Sequence, residues 1–269
     1  MTSPYQILLT NDDGIQSPGL WTAARALSTL GYVHVVAPRD QFSGAGRSLP
    51  SNSDGIITPL PLQVNGQVWQ VYSVGGTPAQ AVLHALYEIL PQPPDLVVSG
   101  INYGANIGVG VTVSGTVGAA MEAAGAGIPA LAISLETDQV HHLSYSTEVD
   151  FSAAGHFTAL FGRLLLERRM PGDVHLLKVD VPCDASPDTP WRVTRLARAP
   201  FYVPVAPKRT SWNTPETVGY RLNETIDLAD ADSDASVLVS QRLVSVTPLS
   251  LDMTARVPLG ELDRLLREE

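Results

Sequence analysis

Four short stretches carry residues whose types suit chemistry on an anionic substrate. The first is Asn11-Asp12-Asp13-Gly14, directly after the apolar run Ile7-Leu8-Leu9-Thr10. Two neighbouring carboxylates repel each other unless a cation or a proton lies between them, so the pair suits a hard divalent ion. Taken alone the tetrapeptide is also explained as a turn, because Asn, Asp and Gly are common turn residues. The second stretch is Ser99-Gly100-Ile101-Asn102-Tyr103-Gly104-Ala105-Asn106-Ile107-Gly108, after Leu96-Val97-Val98. Its glycines let the backbone approach a ligand, and Asn102 and Asn106 offer neutral oxygen ligands or amide donors. The third is Ser114-Gly115-Thr116-Val117-Gly118, opening a helix of small residues. Free N–H groups and the positive helix end suit a phosphoryl group, although a plain Ser N-cap accounts for the same residues. The fourth is a pair of loops, Phe42-Ser43-Gly44-Ala45-Gly46 and Gly75-Gly76-Thr77-Pro78. Both leave the same sheet edge as the Asp pair if the strands are parallel.

The elements that must position these loops follow from hydrophobic periodicity. Strands are expected at residues 6–10, 34–38, 67–74, 96–99, 130–134 and 174–181, mostly as continuous apolar runs that suit central strands covered on both faces. Leu20, Ala23, Ala24, Leu27 and Leu30 keep helical spacing, as do Val82, Ala85, Leu86, Ile89 and Leu90. A longer helix carries Ala154, Phe157, Phe161, Leu164 and Leu165 and stops before Pro171-Gly172. This alternation predicts an α/β fold, a mostly parallel sheet with helices on both faces, over residues 1–186. Residues 187–269 change texture to short β-like runs at 191–196, 217–222 and 237–248, broken by Pro, Asn and Asp, and end in a helix at 258–269. That segment reads as a hairpin-rich extension forming one compact unit with the core. Its last helix is too short to be stable alone, so it must dock on its own body or on a neighbouring subunit.

Composition narrows the partners. At 269 residues with 44% hydrophobic and 16% charged residues, the chain can bury a large core and is not of the disordered class. A formal charge of −10 disfavours nucleic acid and acidic membrane surfaces. An anionic substrate then needs a local positive centre, and with lysine only at positions 178 and 208 a bound cation is the natural one. The single cysteine, Cys183, excludes an internal disulfide and a Cys-based zinc cluster and suits the cytoplasm. The first residues lack the pattern of a signal peptide, and no apolar run reaches the ~18 residues of a membrane span. Neither a P-loop, a dinucleotide fingerprint nor a G-x-S-x-G elbow occurs in the right context. The adjacent His141-His142 pair lies in a polar stretch and reads as a solvated loop.

In these same motifs the sequence resembles the SurE family of survival proteins, metal-dependent phosphatases of nucleoside monophosphates. The resemblance runs through Ile7 to Ile15 with Ser17-Pro18-Gly19, Val35-Val36-Ala37-Pro38 with Ser43-Gly44, and Gly76-Thr77-Pro78. It continues through Asp95 to Asn102, Gly104, Asn106 and Ser114-Gly115-Thr116, and returns at Val244 to Leu249. It implies a Rossmann-like core with metal ligands at Asp12, Asp13, Ser43 and Asn102, and phosphate contacts at Asn106, Ser114, Gly115 and Thr116. It also implies one Mg²⁺ or Mn²⁺, a nucleotide substrate, and homodimers or homotetramers that exchange a C-terminal segment. Departures stand out: Asp252 to Arg256 lacks the histidine that many relatives carry there. Ala79-Gln80 follows Gly76-Thr77-Pro78 where Ala-Asp is common, and residues 208–223 lack the usual Tyr-Trp pair.

The chemistry expected is hydrolysis of a phosphate monoester, with Asp12, Asp13 and Asn106 as the catalytic groups. Water attack aided by one carboxylate is the first mechanism, and a covalent aspartyl-phosphate is its rival. Rivals of other classes are a receiver-like signalling module, which also carries an acidic pair after its first strand, and a metal-dependent glycosyltransferase, whose carboxylates are usually spaced D-x-D.

Overall fold

The computed structural model describes residues 5–64 and 67–267. Strands β1 (Tyr5–Thr10), β2 (Gly31–Pro38), β3 (Ile57–Val64), β4 (Gln67–Val74), β5 (Leu96–Tyr103), β6 (Ala130–Leu135), β7 (Leu176–Val181), β8 (Trp191–Val193) and β11 (Val244–Leu249) form one sheet. Strands β9 (Tyr202–Val205) and β10 (Gly219–Leu222) pair separately as an antiparallel ribbon. The helices are α1 (Pro18–Leu27), α2 (Pro78–His84), α3 (Gly115–Gly125), α4 (Ser152–Glu167) and α5 (Leu259–Arg267).

The sheet order is β3-β4-β2-β1-β5-β6-β7-β11-β8. The run from β4 to β7 is parallel throughout, and antiparallel pairing occurs at β3–β4 and β7–β11. Alternation along β1 splits the core in two. Ile7 and Leu9 pack with the α1 and α4 stripes, Leu20, Ala23, Leu27, Phe157 and Phe161 among them. Leu8 packs on the other face with Val82 of α2 and Val117, Ala120 and Ala123 of α3. The helices thus cover both faces, as the apolar runs predict. From β1 the chain winds to one side through β2 and β4, and from β5 to the other through β6 and β7. The crevice where the winding reverses therefore opens at the C-terminal ends of β1 and β5, the place where such sheets bind ligands.

Several elements differ from the sequence expectations: β2 starts three residues earlier than expected, β5 runs on to Tyr103 past the expected end at 99, and β8 stops at Val193 short of 196. No strand is predicted where β3 lies; it carries Pro59 and Pro61 and is an edge strand, where a missing N–H can face away from the ladder. The ribbon strand β9 was also not expected. Residues 237–240, expected in a strand, belong to a helical turn over Ser236–Ser240 closed by Gln241 N–H on the Ser236 carbonyl at 3.0 Å. That turn tucks Leu238 against Ala105, Ile107 and Phe201. Strand β7 starts at Leu176 because Val174 N–H is taken by the Pro171 carbonyl in a turn. The nine-stranded sheet also runs across residue 187, since β8 and β11 both lie beyond it. The expected C-terminal helix is α5, and residues 268–269 at its end lie outside the described range.

Candidate active site

Asp12 and Asp13 leave β1 at its C-terminal end in a turn that Asn11 builds: its Nδ2 donates to the Gly14 carbonyl at 3.0 Å and its Oδ1 accepts the Gly14 N–H at 3.2 Å. Gly14 has φ +95°, which an L-residue adopts only with strain. The turn reading of this tetrapeptide is thus correct as far as it goes. Solvation is where it fails, because Asp12 is 5% and Asp13 2% exposed.

The two carboxylates are held by different elements. Thr116, in the first turn of α3, donates its hydroxyl to Asp12 Oδ1 at 2.6 Å. Asp13 accepts Gln41 Nε2–H on Oδ1 at 3.0 Å and the Tyr103 backbone N–H on Oδ2 at 3.2 Å. Burial pushes the Asp12 carboxyl up to about 6, against hydrogen bonds from Thr116 and backbone amides that pull it down. Burial, and then the charge of Asp12, lifts Asp13 well above the usual carboxylate range. Two desolvated acids side by side therefore want a positive charge between them, and no Lys or Arg side chain bonds to either among the described residues. That is the donor set a hard divalent cation takes.

The other expected ligands, Asn102 within β5 and Ser43 on the loop after β2, are brought to the same edge. Strand β5 shifts register against β6 between Ser99 and Asn102. Gly100 in that bulge allows the shift, since a Cβ there would sit 2.2 Å from the Ile133 carbonyl oxygen. Asn102 then donates Nδ2 to the carbonyls of Tyr103 at 3.1 Å and Gly104 at 2.8 Å, which reserves Oδ1 as the acceptor side of the amide. Ser43 is exposed on the loop after β2, and that loop is fastened to the pair by Phe42 N–H on the Asp12 carbonyl at 2.8 Å.

Asn106 is fixed from three directions. Its N–H goes to Asp180 at 2.7 Å, its Nδ2 to Ser134 Oγ at 2.8 Å, and its carbonyl accepts Lys178 Nζ–H at 2.8 Å. Lys178 also contacts Asp180 at 2.5 Å and Asp234 at 2.9 Å, all three side chains being fully buried. Burial pulls the lysine down, and the two aspartates more than offset it. Ser114 caps α3 by accepting the Val117 N–H at 3.1 Å, so its oxygen serves the helix first. Gly115 lies against the aspartate: a Cβ there would stand 2.7 Å from Asp12 Cβ.

Several members of this arrangement are invisible to sequence reasoning. Gln41 and Tyr103 N–H carry no pattern. His142, expected in a solvated loop, is buried: its ring lies over Gly104, which has no side chain to exclude it, and stacks on Tyr220 at 6.0 Å. The triad did leave a signal, since Lys178 and Asp180 share one face of the apolar strand Leu176–Val181. A second acidic cluster, Glu136, Cys183 and Asp184, has ligand atoms close enough for a metal, but Arg242 already supplies its positive charge at 2.7 Å from Glu136 and 2.5 Å from Asp184. A cleft of about 360 Å³ beside that cluster, lined by Glu136, His141, Asp150 and Tyr202, includes neither Asp12 nor Asp13, so chemistry and not concavity marks the site.

Comparison with known proteins finds relatives that match nearly the whole chain. The family model described as survival protein SurE matches residues 7–202. A protein of Thermococcus gammatolerans named 5'-nucleotidase SurE is 41% identical, over 97% of this chain and 96% of that protein. One of the same name from Archaeoglobus fulgidus is 43% identical, over 94% of each. The crystal structure of the SurE protein from Aquifex aeolicus superposes with a TM-score of 0.77 at 31% identity, covering 97% of this chain and 99% of that one.

Proposed function

The chain belongs to the SurE family, and we propose from that membership that it is a 5'-nucleotidase, hydrolysing nucleoside monophosphates to nucleoside and phosphate with a divalent cation. The observation that carries this reading is the burial of Asp12 and Asp13 side by side at the mouth of the β1–β5 crevice. Neither a receiver-like module nor a glycosyltransferase gains support, since the near-full-length relatives bear the nucleotidase name.

In this reading Asp12, Asp13, Ser43 and Asn102 hold one Mg²⁺ or Mn²⁺, both of which accept such oxygen ligands. The bound ion supplies positive charge against a phosphoryl oxygen that this acidic protein otherwise lacks. Asn106 presents its amide to the phosphoryl group from a backbone that Asp180 and Lys178 immobilise. The start of α3, Ser114, Gly115 and Thr116, adds the positive end of a helix on the same side. Donors fixed before the reaction stabilise equatorial charge without reorganising, the main resource of phosphoryl transfer. Asp12 Oδ2, the oxygen that does not accept the Thr116 hydroxyl, is our candidate to take the proton of an attacking water. Residues 187–269, with the exposed helix α5 at their end, serve as the arm of a homodimer or homotetramer. A cytoplasmic setting completes the proposal and suits the lone, unpaired Cys183.

The test is phosphate release from AMP and GMP with Mn²⁺ or Mg²⁺, measured beside Asp12→Asn. Metal-dependent release that the substitution abolishes supports the reading. Release indifferent to the metal sinks it.

A further inference from the structure

Gln41 stands between the acidic pair and the wall of the crevice. Its Nε2 carries two hydrogens, and both are used: one goes to Asp13 Oδ1 at 3.0 Å, the other to the His142 carbonyl at 2.6 Å. Only the NH₂ end of an amide can bridge two acceptors, so chemistry fixes which way round this side chain sits. The carbonyl it grips is itself anchored. His142 lies over Gly104, with Nε2 2.6 Å from where a Cβ would stand, and its Nδ1 is 3.1 Å from the Tyr220 hydroxyl. Asp13 is thereby held on one oxygen by Gln41 and on the other by the Tyr103 N–H of β5. Two donors from separate elements leave the carboxylate one orientation.

We propose that Gln41 is a positioning residue: it orients Asp13 for cation ligation by bridging it to the His142 loop. The proposal rests on the reading of Asp12 and Asp13 as cation ligands. Partners of this kind, one bond removed from the metal, typically govern affinity by 10- to 100-fold. The role demands a donor, which a side chain of equal length without N–H cannot supply.

The test titrates Mn²⁺ into metal-free full-length protein by calorimetry, with Mn²⁺ electron paramagnetic resonance as a second readout. The variants are Gln41→Met, Asp13→Asn and, as a control of general destabilisation away from the pair, Leu86→Ala. Support is a Mn²⁺ Kd weakened about 10- to 100-fold in Gln41→Met, with Leu86→Ala binding like the wild type even where it melts lower. Wild-type affinity in Gln41→Met overturns the proposal, and so does an equal loss in Leu86→Ala, because reduced stability would then explain both. Mn²⁺ binding that survives Asp13→Asn unchanged overturns instead the reading of the acidic pair, and the role of Gln41 with it.

Discussion

Thr116 and Asp12, 104 positions apart in the chain, share a 2.6 Å hydrogen bond in which the threonine hydroxyl donates to the buried carboxylate. A residue expected to face the phosphoryl group thus spends its side chain on Asp12, and its backbone bonds the same carboxylate. Thr116→Val keeps the shape and removes the donor, so cation affinity and kcat/KM are expected to fall about 10- to 100-fold, as for other partners of metal ligands. Thr116→Ser keeps the hydroxyl and most of the activity. Mn²⁺ titration with initial rates on AMP checks both, and a fully active Thr116→Val refutes the assignment.

The acidic pair should make the metal-free protein less stable as pH rises. Asp12 is raised from 3.8 to about 6 in the folded state, chiefly by burial, so folding favours its protonated form. Below the unfolded value both states are protonated and the group costs nothing. The cost grows between the two values and is complete above about 6, where it amounts to roughly 3 kcal/mol. Metal-free Asp12→Asn is therefore expected to be more stable than the wild type at pH 7.5, by a margin that shrinks toward pH 4. Thermal denaturation in chelator across that range measures the margin, and a margin independent of pH contradicts it.

Gly115 is expected to tolerate no side chain, for a reason outside its own backbone. It occupies the first position of α3 with no positive φ, so alanine there is conformationally ordinary. Its Cβ, however, would stand 2.7 Å from Asp12 Cβ and 2.9 Å from Asp12 Oδ2. Gly115→Ala should cost about 1–3 kcal/mol of stability through overpacking and displace the carboxylate. Activity with saturating Mn²⁺ then falls much further than the melting temperature alone explains. A variant with normal kcat shows that Asp12 can give way without harm.

What could be read from the chain alone divides along the same physical line. The apolar run Ile7-Leu8-Leu9 and the stripes of α1 and α4 announce themselves by period, because burial there repeats along the element. Strand β3 hides behind Pro59 and Pro61, which edge position permits and local pattern cannot foresee. Around the site, Asp12 and Asn102 are legible because each comes after an apolar run, although β5 continues past Asn102 to Tyr103. Gln41 and His142 were not, because their contacts join positions 101 residues apart and depend on how loops fold over the sheet. Arg242 neutralises Glu136 in the same way, across 106 residues.

The buried triad behind Asn106 gives a sharper stability prediction than any surface pair. Lys178→Met leaves Asp180 and Asp234 without their shared cation in a fully buried setting. Breaking such a pair typically costs 3–5 kcal/mol, far more than its net worth against an apolar core. Calorimetry should show a clear fall in Tm, and the Asn106 carbonyl loses its donor, so KM for AMP is expected to rise as well. An unchanged KM in a folded Lys178→Met protein means that Asp180 alone suffices to hold the loop.

Helix α5 poses the last test. Its nine residues are fewer than the ~12–15 an isolated helix needs for marginal stability in water, so it requires a surface to dock on. No residue of it is buried, and Leu259, Leu265 and Leu266 are all well exposed, aligned as an apolar face. Burying a leucine is worth about 1.5–3 kcal/mol, so the face is enough to hold an arm on a neighbouring copy. The sheet does not depend on it, since β11 ends at Leu249. A chain shortened after Val257 is therefore expected to keep its fold and its melting transition while sedimenting as a smaller species. Leu262→Asp with Leu265→Asp should do the same in the full-length chain. Sedimentation velocity decides: an unchanged assembly in both proteins would mean that α5 is not the arm, and that the subunits meet elsewhere.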